Sequence, residues 1–372
     1  MVDRPRIVLV AFDGFPLHAF RGTLTPNLWR LAEEGGFSPD GGRTGLPSTA
    51  YPAFTSLLTG TSSRQTGVRT TAQRPGAVPG WAGEDRSHAR TIVHAAREAG
   101  LRTAVVMGDQ QLQRVLDLDE IDGVWPPGGR VPANTELDGH GLPTNAAVRP
   151  YALEAAEDRA LDLVFVHFNE IDTLGHDQGP TGNRTHDCIH AADAIFGELL
   201  RVLAPDWDRT VIVVVSDHDM VRRLPFPAID PTRSHDCAGM VDDWIADGCA
   251  AWLRLTPGVD AHMAIDRLAG LDGVEGWRWR EPDLILLLAA HGRVFAAPWI
   301  PVSGVHGSIS TARTLAVVGG GHPAVGDIAA SIVDRPPRLQ DWGLTIAGLL
   351  EVALPDADGL DLLEAPEMRS AG

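Results

Sequence analysis

The sequence predicts an α/β/α sandwich built on a central, largely parallel β-sheet. Runs of aliphatic and β-branched residues alternate along the chain with amphipathic stretches of helical period, which is typical of layered α/β folds. The clearest predicted strands cover residues 6–12, 103–107, 162–168, 210–216 and 313–318. The predicted helices cover residues 25–35, 52–58, 87–99, 183–203 and 340–351. The first strand lacks polar alternation, as expected of a strand that is buried on both faces of a sheet.

The length and composition favour one large domain. With 372 residues, of which 44% are hydrophobic, the chain is long enough to form a single large core, and we expect residues 1–372 to form one domain. Residues 249–290 break the alternation and predict a small strand-helix-strand insert, a cap or side lobe on that domain. Residues 125–150 are rich in Pro, Gly and Asn, which predicts a long surface loop of the kind that often borders an active site.

The charge and the cysteines exclude several classes of protein. A net charge of −18 disfavours a nucleic-acid polymer or an anionic membrane as partner. The three cysteines, Cys188, Cys237 and Cys249, are too few and too irregularly spaced for a disulfide framework or a zinc ribbon. The chain enters a strand without a signal-peptide pattern, and no apolar run approaches the length of a membrane span. We therefore expect a cytoplasmic protein that acts on small molecules.

Acidic and histidine side chains follow the predicted strands at the points where the strands end. They are Asp13, then Asp172 and His176 in EIDTLGH, the adjacent pair Asp217 and His218, and His306 in VHGS. Because the carboxyl ends of parallel strands meet at one edge of the sheet, these side chains should converge in the crevice where such folds bind ligands. A single strand-end Asp is usually a turn residue and a single loop His is usually a surface group. Six in this arrangement predict a metal site.

The mixture of imidazole and carboxylate ligands suits zinc. Three Asp and three His are enough for two ions, and other divalent cations are possible. Two cations about 4 Å apart can stabilise the attacking and the leaving oxygen of a phosphoryl transfer. The residues therefore predict a two-metal site for phosphoryl chemistry.

An ordered set of motifs resembles the nucleotide pyrophosphatase/phosphodiesterase family of the alkaline phosphatase superfamily. The motifs, which span nearly the whole chain, are TPNLWRLAEEGG, LPSTAYPAFTSLLTG, TSSRQTGV, EIDTLGHDQGP, SDHDM, VHGS and GGGHP. The resemblance implies an alkaline phosphatase-like fold that hydrolyses small-molecule phosphate esters, with nucleotides among the candidate substrates. It also implies one zinc held by Asp172, His176 and His306, and a second held by Asp13, Asp217 and His218. A zinc-bound Thr would attack phosphorus and form a covalent phospho-enzyme.

The nucleophile motif departs from the family pattern. A motif of the form P-x-x-T-F-P-N, laid on Pro47 to Ala53, places the nucleophilic threonine at Ala50, which has no hydroxyl. Three readings stay open: Thr49 takes the role through a shifted turn, the chain is an inactivated variant, or it is a pseudoenzyme that binds without turnover. We favour Thr49, because it lies beside the N-terminus of the next predicted helix, where the helix dipole stabilises anions.

Two further positions are predicted to contact the substrate. Thr71 falls where the family has an Asn that contacts phosphate, and Arg69 could bring charge to the nonbridging oxygens, although an exposed surface role is about as expected. In SDHDM, Asp219 replaces a family Gly and could accept a hydrogen bond from a ligand His or lie in a solvated turn.

The substrate class is predicted to be a phosphodiester. The sequence has no obvious arginine-rich phosphate cage, and Tyr51, Trp81, Trp125 and Phe168 could line an apolar leaving-group pocket. A phosphomonoesterase, a phosphonate hydrolase or an inactive metal-binding homologue are the alternatives. A sulfatase is disfavoured, because the C/S-x-P-x-R motif is absent from the sequence.

Overall fold

A computed structural model describes residues 4–71, 86–295 and 302–364 of the chain. Its strands are β1 Arg6–Phe12, β2 Gly36–Phe37, β3 Gly42–Arg43, β4 Thr103–Met107, β5 Val124–Trp125, β6 Leu163–Phe168, β7 Thr210–Ser216, β8 Val221–Arg222, β9 Val241–Asp247, β10 Ala250–Leu255, β11 Val274–Glu281, β12 Leu284–Ala289, β13 Gly304–Val305, β14 Arg313–Thr314 and β15 Ala316–Gly319. Its α-helices are α1 Pro26–Glu34, α2 Ala50–Thr59, α3 Ser63–Thr66, α4 Ile92–Glu98, α5 Gln110–Val115, α6 Asn145–Glu157, α7 Glu170–Gln178, α8 Asn183–Leu203, α9 Ala261–Ala269, α10 Ala324–Asp334 and α11 Leu339–Leu349.

Seven strands form the main sheet in the order β2-β15-β7-β1-β6-β4-β5. The five strands from β7 to β5 are parallel; at one edge β15 pairs antiparallel with β7, and β2 pairs antiparallel with β15 and so runs in the direction of the five. Strand β1 therefore lies inside the sheet between β6 and β7, in agreement with its unbroken apolar sequence. The predicted α/β/α sandwich with a largely parallel sheet is confirmed.

Two hydrophobic cores lie on opposite faces of this sheet. Along β1, Ile7 and Leu9 pack with α2, α4, α5, α10 and α11, whereas Val8 and Val10 pack with α1, α6, α7 and α8. Successive side chains of a strand point to opposite faces, so one strand contributes to both cores. Each aliphatic side chain fully buried in this way contributes roughly 1.5–3 kcal/mol. None of the helices in the described ranges is long and apolar enough to cross a membrane.

A second, antiparallel sheet of four strands occupies the region of the predicted insert, in the order β11-β12-β10-β9. It runs from Val241 to Ala289, so it begins earlier than the predicted residue 249 and includes β9, which the sequence reading missed. Helix α9 covers one face of this sheet. The other face, with Trp252 and Leu286, packs towards Leu46 of the main domain.

The predicted elements correspond closely to the observed ones, with three exceptions. The predicted strand 313–318 is two strands, β14 and β15, interrupted at Leu315. The predicted loop 125–150 ends at Thr144, whose hydroxyl caps α6 by accepting the Ala147 N–H. Helix α4 begins at Ile92 rather than at residue 87, because Thr91 caps it. In the last two cases a threonine cap sets the boundary, a signal that hydrophobic periodicity alone does not carry.

Candidate metal centre and active site

Three neighbouring strands of the main sheet end level with one another. Phe12, the last residue of β1, pairs with Ser216 on β7 and with Phe168 on β6. Asp13 directly follows β1 and Asp217 directly follows β7, so this register places both carboxylates at the same edge of the sheet. Both are buried. Their convergence follows from the strand order, in which β1 lies between β7 and β6.

Helix α7 begins directly after β6 and carries two more of the predicted ligands. Asp172 and His176 are four residues apart and therefore lie on the same face of the helix, with Asp172 Oδ2 and His176 Nε2 3.4 Å apart. The helix is also held by the loop before α6, because Thr173 Oγ1 donates to Asp138 Oδ2 at 2.7 Å. This part of the predicted 125–150 loop thus lies against the site.

His306 reaches the site through a short antiparallel pairing between β8 and β13. Val305 pairs with Val221, which lies three residues after His218. The chain leaves the site along β8 and returns along β13, and this brings the rings of His218 and His306 into a stack with centroids 3.8 Å apart.

The six predicted side chains form two groups, in each of which the potential ligand atoms lie within 4.8 Å of one another. The first metal group is Asp172, His176 and His306, and the second metal group is Asp13, Asp217 and His218. In the first, His176 Nε2 lies 3.1 Å from His306 Nε2. In the second, His218 Nε2 lies 3.1 Å from Asp217 Oδ2. The ligand chemistry of each group suits a divalent cation such as zinc.

Backbone carbonyls orient all three imidazoles. A carbonyl can only accept, so each Nδ1 carries the proton and donates it. The pairs are His176 to Gly304 at 3.0 Å, His218 to Asp219 at 3.1 Å and His306 to Ser48 at 3.1 Å. Each Nε2 is then unprotonated in the neutral ring and presents a lone pair to its group, which is the arrangement that metal-ligating histidines adopt.

Several buried polar atoms at the centre have no hydrogen-bond partner among the described residues. They are Asp13 Oδ1, Thr49 Oγ1, Asp172 Oδ1, Asp217 Oδ2 and His218 Nε2. An unsatisfied buried polar atom costs about 1–3 kcal/mol and calls for a specific explanation. Bound cations would satisfy the carboxylate and imidazole atoms of this set, so the residues fit a metal centre.

The electrostatics of Asp13 support the same conclusion. Burial, and then the nearby carboxylates of Asp217 and Asp172, raise the pKa of Asp13 well above its ordinary value. Burial likewise raises the pKa of Asp217. Buried carboxylates this close together repel one another when ionised. Positive charge between them would remove that penalty, and bound cations supply it.

Two residues that sequence reasoning did not assign to the site support Asp13 and Asp217. The Gly14 N–H donates to Asp217 Oδ1 at 2.9 Å, and a Cβ at position 14 would lie 2.5 Å from Asp172 Oδ1. A larger residue therefore does not fit between the two metal groups. His167, fully buried on β6, lies with Nε2 3.2 Å from Asp13 Oδ2. Burial lowers its pKa to about 3, so the ring is neutral and its Nε2–H donates to Asp13.

Of the two predicted substrate contacts, Thr71 lies at the start of α2. The Tyr51 N–H, in the first turn, donates to Thr71 Oγ1 at 3.1 Å, which leaves the Thr71 hydroxyl proton available to a ligand. Asp247 Oδ2, at the end of β9, accepts from the Thr71 N–H at 2.9 Å. The second sheet thus holds the segment that carries Thr71. Arg69, in contrast, is paired with Glu281 of β11.

The predicted apolar leaving-group pocket is wrong for two of its four residues. Phe168 is fully buried and stacks on Phe12 with ring centroids 5.5 Å apart. Trp125 lies on β5, three strands away from β1, and stacks on Tyr151. At about 4.8 Å per strand, this distance removes Trp125 from the site. Trp81 falls outside the described residues.

The sequence model of the type I phosphodiesterase / nucleotide pyrophosphatase family matches residues 7–254. The chain belongs to this family. The match covers both strand ends that carry Asp13 and Asp217 and the helix that carries Asp172. By its family the chain is a phosphoric ester hydrolase. No curated protein sequence matches the chain.

Solved structures of two enzymes share the fold of this type I phosphodiesterase family member. Murine ectonucleotide pyrophosphatase/phosphodiesterase 5 superposes with a TM-score of 0.71 at 16% identity, covering 95% of this chain and 97% of that one. An inactive threonine-to-alanine variant of the murine enzyme, in complex with AMP, superposes with a TM-score of 0.69 at the same identity and coverage. Phosphonoacetate hydrolase from Sinorhizobium meliloti, in complex with phosphonoacetate, gives 0.72 at 18% identity, covering 94% and 98%.

The nucleophile region of this family member combines a helix start with a buried hydroxyl. Ala50 is the first residue of α2, and Thr49 precedes it as an extended N-cap with φ −134° and ψ 156°. Thr49 is fully buried, and its hydroxyl neither caps the helix nor bonds to another described residue. Ser48, in contrast, is tied to the His306 loop, because its hydroxyl donates to the Ser308 carbonyl at 2.8 Å.

Asp219 acts through its backbone rather than its side chain. Its carbonyl accepts from His218 Nδ1, while its carboxylate accepts from the Met220 N–H at 2.7 Å. Burial raises the pKa of this carboxyl to about 6. The expected hydrogen bond from a ligand His exists, but the acceptor is the carbonyl oxygen. The residue is half-buried, and its carboxylate bonds to the backbone of the turn.

Cation binding to the two metal groups should weaken as the pH falls from about 8 to about 5. The histidines must be neutral to bind a cation, and the raised pKa of Asp13 lets protons compete for this carboxylate at a higher pH than usual. In protein stripped of cations by a chelator, the raised pKa values of Asp13 and Asp217 add to the free energy of unfolding at low pH. This contribution is lost as the pH rises through those pKa values. The rise in Tm on adding zinc should therefore shrink steadily towards pH 5, which thermal melts with and without chelator measure. A zinc-induced rise in Tm that is the same at every pH would contradict cation binding by the two metal groups.

Proposed function

We propose that this protein hydrolyses small-molecule phosphate diesters with the help of two zinc ions, one in each metal group. The observation that carries the proposal is the set of buried ligand atoms without partners, distributed over both groups. Bound zinc would neutralise the clustered carboxylates and stabilise negative charge that develops on phosphoryl oxygens. Other divalent cations have the same effect on charge, so zinc is proposed from the imidazole content of the ligands.

In the proposed reaction Thr49 is the nucleophile. Its Oγ attacks phosphorus, a phosphothreonine bond forms, and the bond from phosphorus to the leaving oxygen breaks, with the proton passing to solvent. Water then attacks the phosphothreonine and restores the hydroxyl. The support for Thr49 is that its Oγ1 is buried without a partner among the described residues. It also directly follows Ser48, whose carbonyl accepts from His306 Nδ1 at 3.1 Å.

Groups at the start of α2 would orient the phosphoryl group. The N-terminus of a helix favours anions, and the Thr71 hydroxyl, held there by the Tyr51 N–H, can donate to a nonbridging oxygen. Three hydrogen bonds support the proposed ligands: Asp138 accepts from Thr173 of α7, the Gly304 carbonyl accepts from His176, and His167 donates to Asp13. Asp138, Gly304 and His167 would thus hold the metal ligands in place without contacting the phosphoryl group.

A second candidate is a metal-binding homologue that binds nucleotides without turnover. It is favoured by Ala50, which occupies the first position of α2 where the family motif has a threonine. The murine enzyme with a threonine-to-alanine change, named as inactive, was crystallised with AMP. A chain of this kind would retain both metal groups and the helix start while lacking the attacking hydroxyl.

Substrate assays on metal-replete protein test the proposal. We expect release of p-nitrophenol from bis-p-nitrophenyl phosphate to exceed release from p-nitrophenyl phosphate, to stop with chelator and to return with zinc. Phosphonoacetate serves as a third substrate, because the phosphonoacetate hydrolase shares the fold. Binding of AMP without turnover of any substrate would instead favour the second candidate.

A further inference from the structure

A cluster of arginines lies where the second sheet meets the main domain. A cavity of about 200 Å³ is lined by Ser63, Arg64, Arg69, Trp252, Arg280 and Glu281. Arg64, in α3, and Arg69, just before Thr71, are near each other in the sequence, whereas Arg280 comes from β11, much later in the chain. The arginine of β11 joins the other two only because the second sheet packs on the main domain, so no local sequence pattern marks this cluster.

Fixed contacts build the walls of this cavity. Arg280 donates from Nη2 to the Leu46 carbonyl at 2.8 Å, and its guanidinium lies 5.9 Å from the centre of the Trp252 ring. The Trp252 indole N–H donates to the Arg69 carbonyl at 2.9 Å. Arg280 Nε is buried and has no hydrogen-bond partner among the described residues. Arg280 is thus held in place and keeps one donor without a partner among the described residues.

Positive charge exceeds negative charge in this cavity. Glu281 is the acidic residue among its lining side chains, and it pairs with Arg69. Burial, and then the charges of Arg278, Arg69 and Arg64, lower the pKa of Arg280. This local excess contrasts with the net charge of −18 of the whole chain. An anion entering the cavity would relieve the repulsion between the guanidinium groups.

The cavity lies within reach of the proposed phosphoryl site. Leu46, which Arg280 contacts, is three residues before Thr49, and an extended chain covers at most about 3.6 Å per residue. Arg69 is two residues before Thr71, whose hydroxyl lies at the start of α2. The arginines and the helix start are therefore joined by segments no longer than roughly 7–11 Å.

We propose that this cavity is a subsite for a second anionic group, a carboxylate or a phosphate, carried by the phosphate-ester substrate away from the phosphorus that is attacked. The inference rests on the proposed function and specifies its substrate as a doubly anionic ester. Guanidinium groups suit this role, because their planar donors match the two oxygens of a carboxylate or phosphate.

A pair of matched diesters tests the subsite. Both release p-nitrophenol, and the second ester group is 4-carboxyphenyl in one and 4-carbamoylphenyl in the other, so they differ in charge but hardly in size. We expect kcat/KM to favour the carboxylate about tenfold, the size of one charge-assisted hydrogen bond in a part-exposed site. A third ester with a phosphate at the same ring position shows which anion the cavity prefers.

Substitutions in the cavity should change the ratio of kcat/KM for the carboxylate ester to kcat/KM for the carbamoyl ester. They should not lower both values equally. Arg280→Met and Arg64→Gln should lower the ratio to about one, whereas Glu281→Gln should raise it by removing the competing carboxylate. Arg233→Met, which removes an exposed arginine outside the cavity, is the charge-matched control and should keep the ratio. Equal losses on both esters in Arg280→Met would show that Arg280 only supports the Leu46 segment, which overturns the subsite.

Failure of the proposed function gives a different result from failure of the subsite. If the wild-type protein hydrolyses neither ester, calorimetric binding of 4-carboxyphenyl and 4-carbamoylphenyl phosphate to the metal-replete protein replaces turnover. Tighter binding of the carboxylate, lost in Arg280→Met, would support the subsite even in an inactive chain. Equal affinity for the two compounds would overturn it.

Discussion

Replacing Thr49 by Ala should reduce turnover by roughly 10³-fold or more, the size expected when a nucleophile that forms a covalent intermediate is lost. The Thr49 hydroxyl is fully buried and unpartnered among the described residues, so its removal breaks no hydrogen bond there. Stability should therefore change little while kcat falls. Steady-state kinetics and a thermal melt of the same preparation measure the two effects separately.

The substitution Ala50→Thr distinguishes Thr49 from position 50. If Thr49 is the nucleophile, Ala50→Thr should leave activity similar or lower, because a second hydroxyl would crowd the same site. If position 50 is the true nucleophile position, the wild-type chain should be nearly inert and Ala50→Thr should create activity. Thr55→Ala is the matched control for Thr49→Ala. It also removes a threonine hydroxyl, one turn along α2, which donates to the Tyr51 carbonyl.

Quenched-flow trapping of a phospho-enzyme would identify the modified residue directly. Label on Thr49 would support the proposed reaction. The absence of label from the wild-type chain, together with AMP binding, would leave the nucleotide-binding homologue as the function.

Replacing Asp217 by Asn should abolish most activity and remove the cation of the second metal group. The amide can still accept the Gly14 N–H that Asp217 Oδ1 accepts at 2.9 Å, but it lacks the negative charge that attracts a cation. We expect metal content to fall from two zinc ions per chain towards one, and kcat to fall by roughly 10³-fold or more. Elemental analysis of dialysed protein measures the stoichiometry.

Asp334→Asn provides the control for this change of charge, because Asp334 is an exposed residue at the end of α10. It should keep both metal content and activity. If wild-type protein reconstituted with zinc holds well below two ions per chain, the two-metal proposal fails. If Asp217→Asn keeps two ions, Asp217 is not a ligand.

The placement of the candidate ligands could be predicted because it depends on local sequence and one general rule. Asp13 and Asp217 each follow an apolar run that is typical of a buried parallel strand, and parallel strands end at the same edge of a sheet. The spacing of Asp172 and His176 puts them on one face of a helix. These features require no knowledge of distant contacts.

Other parts of the site depend on contacts that have no local signal. His306 reaches the centre only because two-residue strands β8 and β13 pair, and strands this short have no period to detect. His167 sits inside an apolar strand sequence, and its contact with Asp13 depends on the neighbouring position of β1 and β6. An inward-facing His in a buried strand was the signal that could have marked it.

The fold class, the strand ends that carry the acidic and histidine residues, and the departure at Ala50 follow from the order of residues alone, because strand and helix patterns are encoded in neighbouring residues. Three features emerge only in the folded protein: Thr49 is buried without a partner among the described residues, Phe168 and Trp125 pack in the core, and Arg64, Arg69 and Arg280 share a cavity. Burial and charge clustering depend on contacts between segments far apart in the chain, within the main domain for Phe168 and Trp125 and between the second sheet and the main domain for Arg280.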